Sequence, residues 1–509
     1  MSARTSGALV ASIAATGSLL AAATVAVGAP ALTRPLTGAS MVSPWPILRA
    51  GANSRPTPGG PAAGELPASG FAATPAAGTV AAGAPALTTP MTAASTASTW
   101  PVYGADGANT RTAAGGPAAG ALLHQAWRFD STSGDFSGTP VIAAGRVFAA
   151  SGGGFAVALD EATGKPLWTT ALDGPVNGSA AYASGRVYVA VARVGSPSVV
   201  ALDAGTGRVL WRTVLTTQSG SDVYASPQVF QGDVVIGTSA LFAETMQSQP
   251  TARGSVLRLD GAHGKIRWQT MTVAPGLTGG GVWSTAAVDP QTAVVYEGTG
   301  NAYSPPADPH TDSILAIDFG SGGILRSFQA TPNDVWTETT RPTGPDADFG
   351  ASPNLFRLAD GTPVVGEGQK SGVYWTLRRD TLQPVWSTRV APGSGLGGIL
   401  GSTAVAGSHI VGPASEPGEL WSLGTDGSVS WLEPSPEPLK WGATSMSNGV
   451  VYAVSSSGML QTWSTAGVPL GATPIAGPSF GGVSIAGGLV FVETGTSFGS
   501  SGSVQAFSG

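Results

Sequence analysis

The stretch Ala158-Leu159-Asp160-Glu161-Ala162-Thr163-Gly164-Lys165-Pro166-Leu167-Trp168 decides the fold, because the chain repeats it. It returns as Ala201-Leu202-Asp203-Ala204-Gly205-Thr206-Gly207-Arg208-Val209-Leu210-Trp211 and, more worn, as Arg258-Leu259-Asp260-Gly261-Ala262-His263-Gly264-Lys265-Ile266-Arg267-Trp268. Each copy reads as strand, Asp-x-x-x-Gly turn, strand, with a Trp closing the second strand. Alternating apolar residues supply the strands, and Gly supplies the positive φ of a tight hairpin. A unit this short cannot bury its apolar face alone, so copies have to stack into an array.

Degenerate copies follow at Ala316-Ile317-Asp318 to Phe328, Trp375-Thr376-Leu377 to Trp386, Trp421-Ser422-Leu423 to Trp431, and Gln461-Thr462-Trp463 to Gly471. Two halves remain. Gln505-Ala506-Phe507 lacks a closing strand, and Gln125-Ala126-Trp127-Arg128-Phe129 is a closing strand without a turn. Joined, they complete an eighth unit and leave no open sheet edge. The expected fold is all-β, an eight-bladed propeller whose last blade is shared by the two termini. Its repeats begin near residue 122, and residues 99–509 form the domain. Most of the repeated Trp residues are expected to pack between blades and touch no ligand.

Composition agrees and narrows the function. Gly 74 and Pro 39 with 11% charged residues suit short strands and turns. A net charge of −6 with no basic run disfavours nucleic acid as a partner. With no cysteine there is no disulfide, Cys-based metal site or c-type haem attachment, and the four histidines are not spaced as metal pairs. Arg4, the small and apolar run Ala8 to Val27, and Val27-Gly28-Ala29 read as a cleaved secretory signal, residues 1–29, with no later segment fit to span a bilayer. A secreted monomer is expected. Residues 30–98 read as a disordered Ala/Gly/Pro/Thr-rich linker. It carries a duplication: Trp45-Pro46 and Gly51-Ala52-Asn53-Ser54-Arg55 return as Trp100-Pro101 and Gly107-Ala108-Asn109-Thr110-Arg111.

Three insertions interrupt the repeats, and loops on a rigid scaffold are where function concentrates. They are Gly279-Gly280-Gly281-Val282-Trp283-Ser284 with Glu297-Gly298-Thr299-Gly300-Asn301; Asn333-Asp334 to Asp346-Ala347-Asp348-Phe349-Gly350; and Gly368-Gln369-Lys370-Ser371-Gly372. The Ala-x-Asp-x-x-Thr-Gly-x-x-x-Trp unit resembles the repeat of pyrroloquinoline-quinone (PQQ) dehydrogenases. In order and wording the insertions resemble above all the polyvinyl-alcohol-dehydrogenase branch of these quinoproteins, over most of residues 100–390.

The resemblance implies an exported enzyme that binds PQQ and Ca²⁺, oxidises a small-molecule or polymeric alcohol, and passes electrons to a separate acceptor. Trp283 would floor the quinone. Glu244 and Asn301 would offer hard oxygen ligands to Ca²⁺. Lys370 would donate to a quinone oxygen. Asp348 would be the general base, with Asp346 or Asp334 as weaker choices. Each residue also has a plain reading: Trp283 as core, Asn301 as a turn residue, the aspartates and Lys370 as solvated charges. Two departures from the family stand out. The family's adjacent-cysteine pair falls near Gln249-Pro250-Thr251-Ala252, and the Trp of its Gly-Gly-Ile-Gln-Trp-Gly phrase is missing at Gly398-Ile399-Leu400-Gly401. They leave open a second reading, a propeller that has lost its cofactor and serves as an extracellular binding or scaffold module.

Overall fold

The structure is a computed structural model that describes residues 99–339, 344–416, 418–433, 440–497 and 499–509. The proposed signal, linker and first copy of the duplication lie outside these residues. Eight four-stranded antiparallel sheets form the ring. Seven use consecutive strands, and in the eighth His124–Ser131 pairs with the C-terminal strand Gly502–Ser508. Trp127 lies opposite Ala506 and Phe129 opposite Val504, the closure that the two half-copies foretold. The short first strands are buried, Val141–Ala143 for example, whereas the fourth strands, such as Pro166–Ala171, alternate exposed and half-buried residues as an outer rim does. Among the described residues, the single α-helix is Leu241–Met246, and no helix is long and apolar enough to cross a membrane.

The repeated phrase owes its wording to two contacts. Asp160 Oδ1 accepts Thr163 N (2.9 Å) and Thr163 Oγ1 (2.7 Å), which fixes the turn. Gly164 (φ +67°) then follows, and a Cβ there would lie 2.4 Å from the indole of Trp127, so Gly is required twice over. That indole belongs to the neighbouring blade, and its Nε1 donates to Glu161 O (2.9 Å). The same latch recurs from Trp168 to Ala204, Trp211 to Gly261, Trp268 to Phe319, Trp386 to Thr425 and Trp431 to Thr465. In the remaining full copy that has an aromatic closing residue, Phe328 packs on Trp375 at 5.2 Å instead. These aromatic residues hold blade to blade, as expected.

A second, unforeseen ring lies inside the first. Two residues before each inner strand, a backbone N–H donates to the hydroxyl at the equivalent position one blade on. The series runs Thr139 to Ser179 (2.7 Å), Ser179 to Ser226 (2.9 Å), Ser226 to Thr285 (3.0 Å), Thr285 to Ser352 (2.9 Å) and Ser352 to Ser402 (2.8 Å). In the last two blades, register places Ala443 and Gly482 there, and the belt of hydroxyls breaks. Arg111 fills the gap. Its Nη2 donates to Thr139 Oγ1 (3.4 Å), Ser445 Oγ (3.2 Å) and Val483 O (3.2 Å), and Nε to Thr444 O (2.7 Å).

Arg111 belongs to a strap, residues 100–113, that precedes the blades and runs across all their inner strands. Backbone bonds tie it to Ile142, Tyr182, Val288, Leu355, Val405 and Met446, Gln228 Nε2 reaches Asp106 O, and Arg111 reaches the eighth blade. Asn109, fully buried, donates to Thr285 O, Ala286 O and Pro353 O.

Glu493, buried behind this ring, is pushed up to about 8 by burial, and its Oε2 has no partner. The stability that its neutral form provides is complete below the ordinary 4.5 and lost as pH rises through about 8. Glu493→Gln is therefore expected to match the parent near pH 4 and to exceed it by about 1–2 kcal/mol at pH 9, read from urea unfolding at both values.

Candidate functional site

The strap residue Tyr103 floors a cavity of about 210 Å³ on the inner side of the blades. Trp283, Asn301, Asp348, Lys370 and Glu244 all line it, so the five residues singled out in the sequence meet in one place.

Local sequence explains how each is held. In Asp348-Phe349-Gly350, the carboxylate enters the cavity and Phe349 is fully buried in the core. Gly350 leaves room for Trp283, since a Cβ there would lie 2.0 Å from the indole. In Gly298-Thr299-Gly300-Asn301, a Cβ on Gly300 would lie 2.8 Å from Asp348 Oδ1, and Asn301 N donates to that same oxygen (2.7 Å). Asn301 Nδ2 donates to Ala302 O (2.8 Å) and Trp336 O (2.9 Å), and among the described residues the amide carbonyl oxygen has no partner. Lys370 Nζ donates to Asp346 Oδ1 (2.8 Å) and Asp348 Oδ2 (3.0 Å) and lies 5.5 Å from the centre of the Trp283 ring. Glu244 projects from the helix Leu241–Met246, whose first N–H groups, Leu241 N and Phe242 N, are capped by buried Asp222.

Charge is unbalanced here. One oxygen each from Glu244, Asp346 and Asp348 fall within 4.8 Å of one another, against the single ammonium of Lys370. Burial, then the charges of Asp348 and Asp346, holds Glu244 well above the usual carboxylate range, and its buried Oε1 has no partner. Burial also drives Asp346 up to about 7 against the pull of Lys370. For Lys370 burial works against the charge, but Asp348, Asp346 and Glu244 outweigh it and hold the ammonium above its usual range. A buried, orphaned carboxylate oxygen in an acid-rich group, beside an unused amide carbonyl, is a donor set for a hard divalent cation.

The structure sharpens four sequence readings. Asp334, a weaker choice for the base, does not line the cavity: its carboxylate accepts Asp346 N (3.3 Å) and Ala347 N (2.7 Å) and fixes the loop that carries Asp346 and Asp348. Asp346, ranked behind Asp348, does not line the cavity but completes the acid group and pairs with Lys370. None of Gln249, Pro250, Thr251 and Ala252 lines the cavity, and Ala252 packs with Ala240, Ala243 and Tyr303. The missing Trp of the Gly398–Gly401 phrase leaves Leu400 in the wall, and Trp441 of the next blade lines it with Phe480, ring centres 4.6 Å apart. The hydroxyl belt was also missed; its sequence signal is a Ser or Thr two residues before six of the eight inner strands.

Two family models match the chain. One, described as outer membrane protein assembly factor BamB, matches residues 117–305. The other, described as glucose/ethanol/alcohol dehydrogenase, beta-propeller domain, matches residues 214–397. Polyvinylalcohol dehydrogenases of Pseudomonas sp. and Sphingopyxis sp. are each 28% identical over 67% of this chain. The chain spans 56% of the length of these curated relatives. Among solved structures, quinohemoprotein alcohol dehydrogenase from Comamonas testosteroni superposes with a TM-score of 0.67 at 20% identity, covering 80% of each chain. Blade count, insertion phrases and these matches agree: the chain is a PQQ-type β-propeller similar to the quinoprotein alcohol dehydrogenases.

Proposed function

We propose that the cavity binds PQQ beside a Ca²⁺ ion and that the protein, after export, oxidises an alcohol, secondary and polymeric ones included, passing electrons to a separate acceptor. The observation that carries this reading is the meeting of Glu244, Asn301, Asp348 and Lys370 in one cavity with Trp283, where Glu244 Oε1 is buried without a partner. Glu244, Asp346 and the free carbonyl of Asn301 would hold the cation, and Trp283 would offer a flat apolar face to the quinone. When bound, PQQ would take up the two electrons removed from the alcohol.

The chain's own residues do the rest. Asp348, held by Asn301 N and Lys370, keeps a lone pair for the alcohol O–H proton. Lys370 spends two of its three N–H donors on aspartates and keeps one for a ligand oxygen that gains charge. Export rests on the N-terminal sequence from Arg4 to Ala29. The scaffold alternative drew on the absent cysteines, but the segment expected to hold them is not part of the cavity wall.

The test is reconstitution. Full-length protein incubated with PQQ and Ca²⁺, then desalted, should retain quinone absorbance and reduce an electron-accepting dye with at least one alcohol. No retained absorbance and no dye reduction across primary, secondary and polymeric alcohols would overturn the reading. Glu244→Ala is expected to weaken calcium binding by about 100-fold or more, measured by titration calorimetry with PQQ present.

A further inference from the structure

The hydroxyl belt has unfilled capacity. Ser179, Ser226, Thr285 and Ser352 line the cavity, and each is nearly fully buried. Each oxygen accepts a neighbour's N–H, yet among the described residues none of their O–H groups finds an acceptor. A hydroxyl that accepts one bond still carries one donor, and a buried donor without an acceptor costs stability. These four donors come from four successive blades and therefore face one shared space around the ring's centre.

A second observation points the same way. Arg111 closes the belt while fully buried, and its acceptors are all neutral: Thr444 O, Tyr103 O, Thr139 Oγ1, Ser445 Oγ and Val483 O. Among the described residues no carboxylate pairs with it. Burial lowers it to about 10, with only Tyr103 acting in the opposite sense. Buried charges in proteins are ordinarily paired. Tyr103 joins the two features, because its carbonyl accepts Arg111 Nη1 (2.6 Å), its hydroxyl donates to the belt residue Ser402 (2.8 Å), and its side lines the cavity.

We infer that the floor of the cavity is a binding site for a compact monovalent anionic group, a halide or a single carboxylate, held by the O–H groups of Ser179, Ser226, Thr285 and Ser352 and balanced by the charge of Arg111. An anion would use the free O–H donor that each hydroxyl keeps after accepting its neighbour's N–H. Its hydroxyls share the cavity with Glu244 and Asp348, so the test is made on the protein without quinone.

Thermal unfolding of the full-length protein in bromide, formate and gluconate at equal ionic strength tests this. Bromide or formate is expected to raise Tm by about 2 °C or more over gluconate, which is too large for the ring. A response to bromide alone assigns a halide, and one to formate assigns a carboxylate. The Ser226→Ala/Ser352→Ala variant should lose at least half of the increment. In crystals of the unaltered protein grown with bromide, anomalous density should appear between these hydroxyls if a halide binds. The inference is overturned if neither anion raises Tm over gluconate, or if the variant retains the full increment.

Discussion

Asp348→Asn is expected to lower kcat by about 10²–10⁴-fold while the reconstituted protein keeps its quinone absorbance. The amide preserves the shape of the side chain, so Asn301 N can still donate to its oxygen and Trp283 still rests against Gly350. Lys370 keeps its ion pair with Asp346, and the ammonium stays in place. What is lost is an acceptor able to take the alcohol proton as the carbon–hydrogen bond breaks. The separation to look for is therefore turnover against binding: kcat falls and the calcium and quinone affinities change little. If Asp348→Asn oxidises alcohols at the parental rate, Asp348 is not the base, and Asp346 becomes the residue to test.

Arg111→Ala is expected to remove about 3–5 kcal/mol of stability, a large share of the 5–15 kcal/mol typical of a whole domain. Five acceptors lose a donor at once, and although Tyr103 O keeps Trp100 Nε1 and Val483 O keeps Ser445 Oγ, Thr444 O, Thr139 Oγ1 and Ser445 Oγ lose the bond from Arg111. The place is also where the hydroxyl belt has no residue of its own, since Gly482 has no side chain and a Cβ there would lie 2.4 Å from Arg111 Nη2. No neighbour can take over the bridge between the last two blades and the first. Thermal unfolding should show a fall in Tm of about 4–6 °C. Arg111→Lys should recover only part of it, because a single ammonium cannot reach acceptors set around a planar fork. A fall of under 2 °C for Arg111→Ala would mean that the Trp latches alone hold the ring.

The sequence foretold different parts of the molecule to different depths. The blades were legible because their determinants are local: Asp160, Thr163 and Gly164 make a turn within five residues, and Trp168 recurs at a fixed distance. The five candidate residues were legible through phrases, and all five line the cavity. The function of Asp334 was not, because its partners are the backbone amides of Asp346 and Ala347, and nothing in a sequence says where a loop turns its N–H groups. The orphaned oxygen of Glu244 was hidden likewise, since burial is a property of the packed helix Leu241–Met246 and not of any one residue.

By itself, then, the sequence determined the number of blades, their closure through the two ends and the identity of five side chains gathered in the cavity. Short-range hydrogen bonding and a fixed repeat length decide those features, and both are written along the chain. Only the tertiary structure decided that Asp346 joins the acid group, that Gln249 to Ala252 leaves the cavity wall, and that Arg111 completes a belt of hydroxyls begun by Thr139, Ser179 and Ser226. These contacts join residues up to several hundred positions apart. Their energies depend on burial and on which donors and acceptors remain unmatched once the ring has closed.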